Sequence, residues 1–236
     1  LPSSRDWPRP AEYDFQQLKA AIFALHLIGG ISYFKTCLPK KIIIKSGALT
    51  PEQAQFWNNV YTHGLGEFFF QNDIDFKGLI NFPSSGTVPV SNPPIHKTVK
   101  QSILVPIGGG KDSLITAELL RKAGHDITLF RMGGHKLIDT MADAMDLPLL
   151  TIKRSLSPEL FKLNEQGAIN GHVPITAYLS CVTVLMGLLY EFDAVAMSNE
   201  RSANEGNVEF KGMEINHQWS KSVDFERAFQ QYISDA

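Results

Sequence analysis

The chain is poor in cysteine, in net charge and in long uninterrupted apolar runs, and each shortage removes a class of function. Its 236 residues hold two cysteines, Cys37 and Cys181, and no C-x-x-C pair. That excludes the thiolate zinc knuckle and the dithiol redox motif. Nothing suggests a disulfide framework either, so a reducing, cytoplasmic setting is the expectation. The net charge is −2, from 22 Lys+Arg against 24 Asp+Glu. A surface for long nucleic acid is ordinarily basic, because phosphate neutralisation supplies most of the affinity; no nucleic-acid partner is expected. The most apolar early stretch, 20–34, is broken by His26, Gly29 and Gly30. It is too short to cross a bilayer and has no basic leader, so it reads as a core helix without membrane insertion. What is present is 44% hydrophobic and 19% charged. That is an ordinary soluble balance, on a chain long enough for one large α/β domain or two smaller ones. The chain opens at Leu1 and closes at Ala236 just after an amphipathic segment; part of the working protein is expected to lie outside it. Oligomeric state has no signature here.

Residues 1–98 carry no repeat and no catalytic box. Apolar spacing predicts a helix over 14–28, and Lys41-Ile42-Ile43-Ile44-Lys45 predicts a short strand. Thr50, Pro51 and Gln53 predict a capped helix start. The prolines and serines over 81–94 mark a connector, giving a smaller N-terminal α+β region, 1–98, ahead of a second domain, 99–236. From residue 102 the rhythm becomes strand, helix, strand, helix: strands at 103–107, 126–130, 149–152 and 194–197, helices at 113–123, after 134 and at 174–190. Leu114, Ile115, Leu119 and Leu120 are expected to face inward, and Val208 to Ile215 to turn as a hairpin at Lys211-Gly212. Alternation at this spacing predicts an α/β fold with a parallel, doubly wound sheet. Ligands then sit beyond the carboxyl ends of the strands, at the loops 108–113, 131–136, 153–173 and 198–207.

The first of these loops is Gly108-Gly109-Gly110-Lys111-Asp112-Ser113. Glycines between a buried strand and a helix let the backbone turn sharply and approach a phosphate. The N–H groups of the first helical turn then converge on the anion, aided by the helix dipole. Lys111 adds a mobile positive charge. Asp112 is a poor neighbour for bare phosphate and makes sense holding Mg2+ or its waters. Ser113 is expected to cap the helix and donate to a phosphate oxygen. A Walker A loop would need Ser or Thr at 112 and glycine at 106, where Asp112 and Pro106 stand. A dinucleotide fingerprint would need glycine at 113.

The loop Ser198 to Asn207 has no large apolar side chain. Glu200 and Glu205 are candidate magnesium ligands and Arg201 a phosphate or carboxylate clamp, with Asn199, Asn204 and Asn207 as substrate contacts. His172 stands at the start of the apolar helix; His217 follows the hairpin. Glu191 and Asp193 read as solvated turn charges, and Phe68-Phe69-Phe70 as core.

The pattern Gly-Gly-x-Asp-Ser at 109–113 resembles the PP-loop of the ATP pyrophosphatases, with Gly108 where that family usually has serine. The resemblance implies ATP cleaved between its α and β phosphates, with AMP passed to a substrate oxygen, and adenine received near Arg131 and Met132. Together with GHVPITA (171–177) and SNERSANEGN (198–207), the loop resembles the ATP-dependent muropeptide epimerase family. That implies ATP and Mg2+ as cofactors and a UDP-sugar dipeptide, UDP-N-acetylmuramoyl-L-alanyl-L-glutamate, as small-molecule substrate. In that chemistry adenylation neutralises a carboxylate so that a base can take the neighbouring α-proton; His172, His217 and Lys136 are candidates for the base, and a base beyond Ala236 stays open beside them. Two alternatives stay open: a PP-loop ligase or tRNA-modifying enzyme adenylating another carbonyl, and a non-catalytic ATP sensor.

Overall fold

The computed structural model describes residues 15–85 and 102–235. In chain order the elements are α1 (Phe15–Cys37), α2 (Pro51–Gly64), α3 (Gly66–Gln71), β1 (Ser102–Pro106), α4 (Lys111–Lys122), β2 (Asp126–Met132), α5 (Lys136–Met145) and β3 (Leu149–Ile152). There follow α6 (Pro158–Glu165), α7 (Ile175–Tyr190), β4 (Ala194–Val195), β5 (Val208–Phe210), β6 (Met213–Ile215) and α8 (Val223–Ser234). By contact the described chain divides into two compact units, interleaved along the sequence: 15–22, 102–155 and 179–199 form one; 23–85, 156–178 and 200–235 form the other. The expected boundary at 98/99, and most of the proline-rich connector, lie outside the described residues.

The first unit holds a four-stranded sheet of order β3-β2-β1-β4, every pairing parallel. The chain steps outward from β1 to β3 and then places β4 on the other side of β1. Ile103, Val105, Ile127 and Leu129 pack with Ala117 of α4 and Ile138 and Ala142 of α5. Leu104 and Phe130, alternate in register, are also fully buried, so both faces are covered, as a parallel sheet requires. On α4 the inward face is Leu114, Ala117 and Leu120. Ile115 and Leu119 are 54% and 62% exposed, against expectation; the helical period carries them to the opposite side. The β4 strand is shorter than the predicted 194–197. Asp193, expected as a solvated charge, accepts hydrogen bonds from the Ser102 N–H and hydroxyl at 2.8 and 3.0 Å, fixing the start of β1.

The second unit is built on aromatic packing. Trp57, Phe68 and Phe69 are at most 1% exposed, and Tyr232 of α8 stacks on Phe56 of α2 at 4.5 Å between ring centroids. The Thr50 capping box forms as predicted, and the 208–215 hairpin turns at Lys211 and Gly212, both at positive φ. The α1 helix runs past Gly29 and Gly30 to a length of 23 residues. A side chain at Gly30 would meet the Tyr61 hydroxyl at 3.0 Å, and that hydroxyl donates to the Leu27 carbonyl at 2.6 Å. The glycine cost of about 0.5–1 kcal/mol per position is thus offset by close helix approach. At this length α1 is apolar enough to cross a membrane by length and composition, contrary to the expectation that the stretch is too short. Ala24, Leu27, Ile28, Ile31 and Phe34 are nonetheless buried.

The predicted 41–45 strand is not one, and the described residues before β1 contain helices alone. Ile42 and Ile44 are half-buried while Ile43 is exposed, the alternation of an extended chain. No ladder partner lies beside it among the described residues. The 153–173 stretch, expected as a loop, contains α6, opened by Ser157 and Pro158.

Candidate functional site

The glycine loop leaves the carboxyl end of β1 beside β4, where the strand order reverses and α/β sheets open a crevice. The Ile107 N–H extends the β1 ladder to the Phe130 carbonyl at 2.8 Å, and the turn begins at exposed Gly108. Gly109 takes φ +86°, with Leu137 and Ile138 behind it; a side chain there would be strained. Gly110, in extended conformation, precedes α4, and no side chain caps the first turn. Ser113, expected as the cap, is instead the third helical residue; it is buried and donates to the Gly110 carbonyl at 3.0 Å. Lys111 is exposed and Asp112 half-buried. An uncapped helix start with open glycines before it and a lysine beside it fits a phosphate group.

The β4 end comes to the same helix. Ser198 donates to Thr116 of α4 at 2.9 Å, which sets half-buried Asn199 one residue on. Arg131 is committed elsewhere. Its guanidinium donates to Thr151 and the His135 carbonyl, each at 3.0 Å, and pairs with Asp139 at 2.6 Å. It lines a cleft of about 700 Å³ with Asp139, Asp143 and Asp146 on the α5–β3 side. Met132, the last residue of β2, is half-buried.

The remaining predicted residues belong to the second unit. Arg201 to Asn204 form a 3₁₀ turn. Glu200, Arg201 and Glu205 are exposed; the Glu200 carboxylate accepts from Ser202 at 3.2 Å. The Asn204 amide is used internally, donating to the Arg201 carbonyl at 2.9 Å and accepting from the Val223 N–H at 2.8 Å. Asn207 accepts from the backbone N–H of His217 and faces its ring Nδ1 at 2.6 Å. A backbone N–H is always a donor, so Asn207 presents its oxygen here and the His217 proton sits on Nδ1.

A cluster that sequence reasoning missed surrounds His172. Lys35, in α1, is 7% exposed. Its ammonium donates to the Asn170 side-chain oxygen and, at 3.0 Å, to the Gly171 carbonyl. No carboxylate pairs with it among the described ion pairs, and burial lowers its pKa. Half-buried His172 follows directly; burial lowers its pKa, the Glu67 carboxylate opposes that, and His217 and Lys35 reinforce it. Gly171 lies against the Phe68 ring of α3, and α3 also packs on β6, two residues short of His217. The one available signal was a lysine ending an apolar helical stretch. Lys136, the other candidate base, is exposed at the start of α5 in the first unit.

Among the described residues no three His, Cys, Asp or Glu side chains gather as a metal cluster. Magnesium bound by one carboxylate and phosphate oxygens needs none, which Asp112 fits. Cys181 is fully enclosed, its thiol pushed up to about 12 by burial, so it is no nucleophile.

Residues 5–236 match the family model described as the MurL N-terminal domain. The chain is 46% identical over 216 residues to the UDP-N-acetyl-alpha-D-muramoyl-L-alanyl-L-glutamate epimerase of Xanthomonas oryzae pv. oryzae. It is 36% identical over 217 residues to the protein of that name from Salinispora tropica, and 35% over 220 to that from a Micromonospora species. These alignments cover 92% of this chain and 47–48% of the relatives; the chain spans about half the length of the curated relatives it matches.

Proposed function

Because the chain belongs to the MurL N-terminal domain family, we propose that it works within an ATP-dependent epimerase converting the terminal L-glutamate of UDP-N-acetylmuramoyl-L-alanyl-L-glutamate to D-glutamate, a step in peptidoglycan precursor synthesis. The relatives' names supply the substrate. The observation that carries the ATP reading is the uncapped α4 start behind Gly109 at the strand-order reversal. We assign this sheet to the doubly wound PP-loop class.

In this reading the backbone of 108–113 and Lys111 would hold the nucleotide's phosphates, and Asp112 would hold Mg2+, which would stabilise the charge of the departing pyrophosphate. The glutamate carboxylate attacks the α phosphate, AMP is transferred and pyrophosphate leaves. An enolate beside a full carboxylate charge is unstable; as an acyl-adenylate the same carbon gives up its α-proton more readily. A base removes that proton, reprotonation on the other face inverts the centre, and hydrolysis frees AMP. Arg201, exposed and without an ion pair among those described, is assigned to a substrate phosphate or carboxylate. Asn199 and Glu205 are assigned to substrate, Glu200 to metal or substrate. Substrates of this kind place the enzyme in the cytoplasm.

The test is product identity after incubating the full-length protein with ATP, magnesium and the UDP-sugar dipeptide. AMP, pyrophosphate and D-glutamate are expected together. AMP stimulated only by tRNA would move the reading to a tRNA-modifying ligase. ATP bound tightly without pyrophosphate release, whatever the substrate, would make the loop a sensor.

A further inference from the structure

We propose that Thr116 and Ser198 are positioning residues: their hydrogen bond holds the exit of β4 beside the glycine loop, so that Asn199 orients the substrate carboxylate at the nucleotide. The proposal rests on the ATP and epimerase reading above and adds the contact that sets the spacing of the site. The glutamyl carboxylate has to reach the α phosphate, so a group that orients it must stand next to the loop holding the phosphates. The sheet register provides this place. Ile103 lies opposite Ala194 and Leu104 opposite Val195. Carried onwards at the same offset, Ser198 falls level with Ile107, and Asn199 with Gly108, the first glycine of the loop.

Backbone pairing takes β4 only part of the way there. The strand ends at Val195, with one further ladder bond from the Ala196 N–H to the Leu104 carbonyl at 3.0 Å. Past it a side chain ties the exit: the Ser198 hydroxyl donates to the Thr116 hydroxyl at 2.9 Å, across 82 positions of sequence. Thr116 follows Ser113 by three residues on α4, which puts the two on one face of the helix. Ser113 in turn donates to the Gly110 carbonyl at 3.0 Å. The glycine loop, the first turn of α4 and the β4 exit are thus joined by side-chain hydroxyls.

The location of the bond argues for positioning over stability. It lies beyond the last ladder bond, at the crevice where the strand order reverses. Its loss leaves β1 and β4 paired and frees only the exit. Thr116 and Ser198 are both half-buried, so water competes less for the bond than it would at a fully exposed pair. Small displacements of a group that orients a reactant are costly to the rate, and one hydroxyl pair is enough to control such a displacement.

The experiment uses the full-length protein with MgATP and the UDP-sugar dipeptide. Thr116→Val keeps the side chain's shape and removes its hydroxyl, Ser198→Ala removes the donor, and Thr116→Ser keeps the acceptor. The kcat for pyrophosphate release should fall at least about threefold in Thr116→Val and in Ser198→Ala, and no further in the double variant. The Kd for ATP should stay as in wild type, and Thr116→Ser should keep the wild-type rate. A smaller loss in either single variant, losses that multiply in the double variant, or ATP affinity that falls in step with kcat would each overturn the pair. Hydrogen exchange read by mass spectrometry makes the test independent of the reaction. MgATP should slow amide exchange over 108–113 in every variant. Over 196–199 it should do so in wild type and Thr116→Ser, and the slowing should be lost in Thr116→Val and Ser198→Ala. Slowing over 196–199 that survives in Thr116→Val, or that wild type lacks while 108–113 is protected, overturns the proposal. The expected exchange pattern in a protein that forms no substrate-stimulated AMP would sink the epimerase reading and keep the pair. No protection of either segment in wild type would remove the phosphate reading and the pair together.

Discussion

The glycine loop and the histidine cluster are assembled in opposite ways. The loop is six consecutive residues, 108–113, whose form is set by one strand end, one left-handed glycine and one helix start. The cluster draws on distant segments of the second unit, Lys35 of α1 holding Asn170 and Gly171 just before His172. The loop offers backbone N–H groups, which need no particular side chains; the cluster offers titratable side chains, with burial lowering the pKa of Lys35 and of His172. The first arrangement suits a charge that is always the same, a phosphate. The second gathers titratable side chains, whose charge changes with pH.

The sharpest way to test this division is Asp112→Ala. The side chain is half-buried in the first turn of α4 and packs no core. Folding should survive while substrate-stimulated pyrophosphate release falls about 10²–10³-fold, the range for losing one electrostatic contact to a developing charge. Retained turnover would dismiss magnesium binding by this loop. Arg201→Ala comes next. A lost charged hydrogen bond is worth about 1.5–3 kcal/mol, so kcat/KM should fall about 10-fold to 100-fold. An unaltered constant would reduce the 3₁₀ turn to surface. Gly109→Ala attacks the loop's backbone instead. A Cβ at φ +86° costs about 1–2 kcal/mol, read as a lower denaturation midpoint with weaker ATP binding; a variant as stable as wild type would show that the turn relaxes freely.

The same contrast accounts for what could be read in advance. Strands β1 to β3, the capping box at Thr50 and the 208–215 turn depend on neighbouring residues, and the sequence shows them directly. The 41–45 segment has the composition of a strand, yet a strand exists only with a partner, which composition cannot supply. Ile115 and Leu119 are apolar but lie on the outer side of α4; only the packed sheet determines which stripe turns inward. Arg131 stands at the expected strand end, but its hydrogen bonds to Thr151 and the His135 carbonyl and its pairing with Asp139 depend on how α5 and β3 lie beside it. The buried place of Lys35 was not legible because its partners are more than 130 positions away. Asn204 looked like a ligand contact by composition, and its amide is occupied at both ends by backbone.

The smallest effect distinguishes the two units by acid. His63 of α2 stacks on Trp219 at 5.1 Å between ring centroids. Burial holds its pKa below the ordinary 6.5, although Asp224 pulls the other way. His172 is lowered as well, again chiefly by burial. A histidine with a depressed folded pKa binds fewer protons folded than unfolded. Its contribution is therefore present above 6.5 and lost as pH falls through the folded value. Thermal midpoints should decline below about pH 6.5, and the decline should be shallower in His63→Gln and shallower still with His172→Gln added. Each step should stay under the about 2–4 °C that 1 kcal/mol moves a chain of this length, because both rings are only half-buried. A His63→Gln profile parallel to wild type would mean that the Asp224 attraction cancels the cost of burial, leaving His172 as the source of the acid sensitivity.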